Sequence, residues 1–95
     1  MTIEEFRRSI ASADPPTDSE PLRALWHDAR GEWNRAHEVA QNIGGRDGAW
    51  IHAYLHRKEG DVENARYWYS QAGKEPATGS FDVEWEQIAA AQLEP

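Results

Sequence analysis

The chain writes one pattern twice. Ala24, His27, Gly31, Glu32 and Ala36 recur as Ala53, His56, Gly60, Asp61 and Ala65, each 29 residues after its counterpart. The apolar positions keep that register, with Trp33, Ala36, Val39, Ala40 and Ile43 returning as Val62, Ala65, Trp68, Tyr69 and Ala72. Self-similarity at a period of roughly 20–50 residues is the mark of a stacked repeat, in which each unit buries its apolar face against the next. Within each copy the apolar residues fall at helical spacing. The expected fold is therefore all-α: two helical hairpins, residues 22–43 and 48–73, in one domain over 1–95.

The flanks fit that plan. Thr2 and Glu5 have capping-box spacing, and Ile3, Phe6 and Ile10 then form a stripe, so a short amphipathic helix is expected over residues 3–12. Residues 12–21, SADPPTDSEP, form a linker, because two adjacent prolines fix φ and push the preceding residues towards extended backbone. Such a linker lets the first helix dock on the core or on a second copy. Asp18 or Ser19 caps the next helix, with Glu20 and Pro21 in its first turn. Gly31, Gly44-Gly45, Gly60 and Gly73 mark helix ends, while Asp47 and Asp61 are the expected caps of the third and fourth helices of the repeat. A last helix, 81–93, starts at Ser80 or Asp82 and places Phe81, Trp85, Ile88 and Ala89 on one face. It is expected to cap the second hairpin, giving about six helices in all. All five tryptophans, Trp26, Trp33, Trp50, Trp68 and Trp85, fall on stripes and are expected in the core.

The stretch from Ala53 to Ala72, with Gly60-Asp61, Ala65 and Tyr69, resembles the tetratricopeptide repeat and its Sel-like relatives. Asn64 to Gly73 is especially similar to the second helix of a Sel-like unit. Residues 24–43 resemble it more weakly. The resemblance covers about residues 22–76 and implies helix–turn–helix units that stack and present a surface to a protein or peptide. The phrases WHDARGEW and WIHAYLHRKEGD are also similar to stretches of small bacterial proteins.

Charge and composition exclude several function classes. A formal net charge of −7 with no basic cluster argues against a phosphate backbone as partner. No apolar run approaches the ~20 residues of a membrane span. The first residues put acids before their basic pair and lack an apolar segment, unlike a signal peptide. Absence of cysteine removes disulfides and thiolate metal sites and suits the cytoplasm. No spacing of Ser, His and Asp, and no glycine-rich phosphate loop, indicates an enzyme.

Two functional expectations remain. The first is a protein-interaction module, acting on another protein or as a homodimer, with Arg57, Arg66 and Tyr67 as candidate contacts. The second is a metal site. His52 and His56 stand one helical turn apart with Glu59 three further on, projecting away from Trp50 and Tyr54, and such a set can hold zinc. His27, in the equivalent slot of the first copy, and His37 can each add a ligand. Against this stands simple packing: His27 and His56 replace an aromatic and donate a ring N–H to a carbonyl or to an acid such as Asp28 or Glu59. Recurrence of the slot with the unit favours packing. Arg57, Lys58 and Arg66 are then expected to pair with Glu59, Asp61 and Glu63.

Overall fold

Local capping chemistry sets the element boundaries. The computed structural model describes residues 1–94 and contains six helices. These are α1 (Ile3–Ser9), α2 (Glu20–Ala29), α3 (Trp33–Ala40), α4 (Gly45–Glu59), α5 (Val62–Ala72) and α6 (Phe81–Leu93). No strand occurs among the described residues.

The Thr2–Glu5 box forms in both directions, at 3.1 and 2.9 Å. Ser19, Asp61 and Ser80 accept from the amides of Leu22, Asn64 and Val83. Helices α2 and α4 end alike. The amides of Gly31 and Glu32 return to the carbonyls of Asp28 and His27, and those of Gly60 and Asp61 to Arg57 and His56. Gly31 and Gly60 stand at φ of +80° and +91°, where a side chain would be strained.

Three boundaries differ from expectation. Helix α1 stops at Ser9 rather than 12, where the Ser9 hydroxyl turns back to the Phe6 carbonyl at 2.5 Å. Helix α3 stops at Ala40 rather than 43. Helix α4 begins at Gly45, three residues early, so Asp47 lies inside its first turn and Gly44 is the cap, without a side-chain bond. Gly48 permits that early start. A Cβ there would meet the Ile43 carbonyl oxygen at 2.1 Å.

Helices α2 and α3 pack together, as do α4 and α5, and α2 also meets α4. Helices α3 and α6 each pack on both α2 and α4, and α1 packs on α6. The main core joins Phe6, Leu25, Trp26, Ile51, Tyr54, Leu55, Trp85 and Ile88. Burying large apolar side chains of this kind stabilises a fold by roughly 1.5–3 kcal/mol each. Phe6 stacks on Trp85 at 5.6 Å, and Arg30 ties the linker down through the carbonyls of Ile10 and Ser12. The first helix thus docks on its own chain.

Not every stripe residue is hidden. Trp26 and Trp85 are buried, but Trp33, Trp50 and Trp68 are only half-buried. Val62 is 56% exposed and Phe81 41% exposed, contrary to expectation. Each is the first residue of its helix, one position too early to turn inward; Phe81 instead lies under the Arg57 guanidinium at 4.7 Å.

Two buried carboxylates lock the helices to one another. Asp28 of α2 accepts from the Tyr54 hydroxyl at 2.6 Å and Lys58 Nζ at 3.1 Å, both from α4. Glu84 of α6 accepts from Tyr69 at 2.6 Å, Arg57 at 3.0 Å and Trp50 Nε1 at 3.1 Å. Burial, followed by the adjacent carboxylate, pushes both tyrosine hydroxyls above the ordinary range. Arg57 and Lys58 therefore find their partners on α6 and α2, not among Glu59, Asp61 and Glu63.

Candidate metal centre

The spacing of two residues on α4 starts the site. His52 and His56 are four apart and so share a face, and α3 packs across that face carrying His37. The three rings converge. Ring centres of His37 lie 5.2 Å from both His52 and His56, which are 6.0 Å from each other. One ligating nitrogen from each lies within 4.8 Å of the other two.

Tryptophans wall the cluster. Trp68 of α5 stacks on His52 at 4.2 Å, and Trp33 of α3 stacks on His37 at 5.0 Å while meeting His56 edge-on. Trp33 is itself fixed by its Nε1–H donating to the Leu55 carbonyl at 2.9 Å.

Hydrogen bonding sets the tautomer of His56. Its Nδ1 lies 2.7 Å from Glu59 Oε1, and its Nε2 faces the Asn64 amide at 3.4 Å. A carboxylate can only accept, so Nδ1 donates to Glu59, and in the neutral ring Nε2 is left as the acceptor. Metal-ligating histidines are commonly held in this way, with the far ring N–H on a carboxylate that also raises the basicity of the ligating nitrogen.

His52 is the unusual member. It is 7% exposed, yet its Nδ1 has no hydrogen-bond partner, the single such buried side-chain nitrogen or oxygen among the described residues. Burial first, then the neighbouring His37 and His56, lowers its pKa to about 4; the Ala40 backbone pulls weakly the other way. His37 is lowered as well, by burial and then by His56. At neutral pH His52 is an uncharged imidazole, the form that binds metals.

His52, His56, Glu59 and His27 were expected as ligands, with His37 as a further one. The structure brings the first two together with His37. Glu59 serves His56 from its far side. His27 is spent elsewhere, its Nδ1 on Glu32 at 2.8 Å and its ring edge-on to Trp26. Packing thus describes His27, with Glu32 rather than Asp28 as the acid. A second set, His56, Glu59 and Asp61, also falls within 4.8 Å, but its two acids are exposed. Trp33, Trp68 and Asn64 were missed as parts of the site. Their signal was helical spacing: Trp33 with His37 on α3, and Asn64 with Trp68 on α5, each four apart.

Of the expected partner contacts, Arg57 is half-buried and engaged with Glu84 and the Gly79 carbonyl. Arg66 and Tyr67 are exposed, and Tyr67 rests edge-on against Trp68. No described helix is long and apolar enough to cross a membrane. Comparison with protein-family models, curated proteins and solved structures found no match.

Proposed function

We propose that this protein binds a divalent transition-metal ion, zinc foremost, through His37, His52 and His56. The observation that carries the reading is the unpartnered Nδ1 of His52. A polar atom left unpaired in the interior costs roughly 1–3 kcal/mol. Among the described residues the other buried polar side-chain atoms have partners, including two buried carboxylates, so this cost is retained at one place and beside two further imidazoles. A metal ion bound at Nδ1 would remove it. Tetrahedral zinc with nitrogens at about 2.0–2.1 Å needs N···N separations of about 3.4 Å. The nitrogens lie within 4.8 Å of one another, so binding would draw the three rings closer together. Trp33 and Trp68 hold the rings, and Glu59 orients His56.

The test is calorimetric titration of zinc chloride into untagged, metal-stripped protein. One ion per chain is expected, with His37→Ala and His52→Ala each losing binding and His27→Ala retaining it. No zinc uptake by the parent protein, or an equal loss in His27→Ala, overturns the proposal.

A second reading rests on other residues. Val62 and Tyr67 on α5 are 56% and 55% exposed and lie beside Arg66, which supports a protein-interaction role or self-association through that helix. On either reading we place the protein in the cytoplasm, which its cysteine-free sequence suits.

A further inference from the structure

Three imidazoles leave a tetrahedral ion one position short. The atoms that group with His37 and His52 include no carboxylate among the described residues. Glu59 is held at Nδ1 of His56, and Asp61 caps α5 through the Asn64 amide. Three protein ligands with a vacant fourth position is the arrangement in which zinc keeps water or takes an exogenous ligand.

A cleft reaches the cluster at His52. It has a volume of about 430 Å³, and His52 and Trp68 form one part of its wall. Gly44, Gly45 and Arg46, at the start of α4, also line it, as do Gln41 and Gln71. The α4 N-terminus has no side-chain cap, so its first amides remain available to an anion. Arg46 makes no ion pair among the described residues, although the chain carries a net charge of −7. Arg46 stands in the first turn of α4, exposed and outside every described ion pair, with its guanidinium beside Gly73 at the end of α5. The helix rises about 1.5 Å per residue, which puts these amides roughly 9 Å along the axis from His52.

We infer that the cleft binds a small dianionic molecule, one carboxylate or phosphate on the metal and the other on Arg46 and the α4 amides. This deepens the metal-binding proposal and rests on it. Both ends are needed: the metal supplies a strong but unselective contact, and the Arg46 end selects for a second charge at the right distance.

Cobalt(II) replaces zinc in the experiment, because its visible spectrum reports both loading and exchange of the fourth ligand. Cobalt-loaded protein is titrated with acetate and with glutarate. Glutarate is expected to bind at least about tenfold more tightly, which is about 1.4 kcal/mol. Arg46→Ala is expected to abolish that advantage while leaving cobalt loading and acetate binding intact. Equal affinities for the two anions, or a cobalt spectrum that neither changes, overturn the inference and leave the metal site standing. A protein that takes up no cobalt overturns the metal site itself, and with it this inference.

Discussion

His52→Phe tests, by the pH dependence of folding, whether His52 is buried as a neutral imidazole. In the metal-free protein His52 has its pKa lowered from 6.5 to about 4. Between those values the unfolded chain takes up a proton on residue 52 and the folded chain does not. Stability therefore falls as pH falls, and the effect is absent above pH 6.5. By pH 4 the cost of keeping the ring neutral reaches about 3 kcal/mol. That is a large part of the ~5–15 kcal/mol that holds a domain together. Phenylalanine keeps a ring to stack on Trp68 but has nothing to protonate. At pH 7 the two proteins differ by an offset of either sign, since relief of the unpaired nitrogen opposes the larger ring. The decisive quantity is the change in their difference. Urea unfolding in EDTA, followed by tryptophan fluorescence from pH 7 to pH 4, should show the variant gaining about 3 kcal/mol relative to the parent. In melting temperature this is roughly 12–24 °C for a domain of this size. The groups facing the ring, His37 and His56, remain in both proteins, and the part of the effect that comes from their charge on residue 52 disappears with the imidazole. Parallel profiles, within about 0.5 kcal/mol across the range, would refute the assignment of His52 as a buried neutral imidazole.

Glu84→Ala should cost about 3–5 kcal/mol, because it strands the Arg57 guanidinium and the Tyr69 and Trp50 donors together. Tyr69→Phe should cost about 1–2 kcal/mol, and equal losses by urea unfolding would show that the carboxylate is not the hub. Gly60→Ala, at φ +91°, should cost about 1–2 kcal/mol, whereas Gly79→Ala, with no positive φ and no heavy atom within 4 Å of its Cβ, should fall within about 0.5 kcal/mol of the parent; thermal melts compare them directly.

The helices were legible because their signals are local. The Thr2–Glu5 box, the Ser19, Asp61 and Ser80 caps and the Gly31, Gly60 and Gly73 stops each depend on a few neighbouring residues, and each forms. What failed depended on tertiary contacts. The early start of α4 turns on the fit of Gly48 against Ile43, which no propensity records. The pairing of Lys58 with Asp28 and of Arg57 with Glu84 spans 30 and 27 residues, so charges beside them in sequence were poor guides.

The site was harder to see for a reason the repeat itself explains. Residues shared between the two copies do the same structural work twice. Ala24 and Ala53 are both fully buried, Gly31 and Gly60 make the same turn, and His27 and His56 each give Nδ1 to an acid. Reading the repeat therefore directed attention to His27 as the fellow of His56. Apart from His56, the cluster is built where the copies differ. Positions 29 residues from His37, His52, Asn64 and Trp68 hold Arg66, Arg23, Arg35 and Val39. The first copy supplies Trp33 and His37, and the second supplies His52, His56, Asn64 and Trp68. Those side chains meet only because α3 of one hairpin packs across α4 of the next. A slot that recurs is explained by the brick. His52 does not recur, is buried and leaves a nitrogen unpaired, and the metal ion proposed above would give that nitrogen a partner.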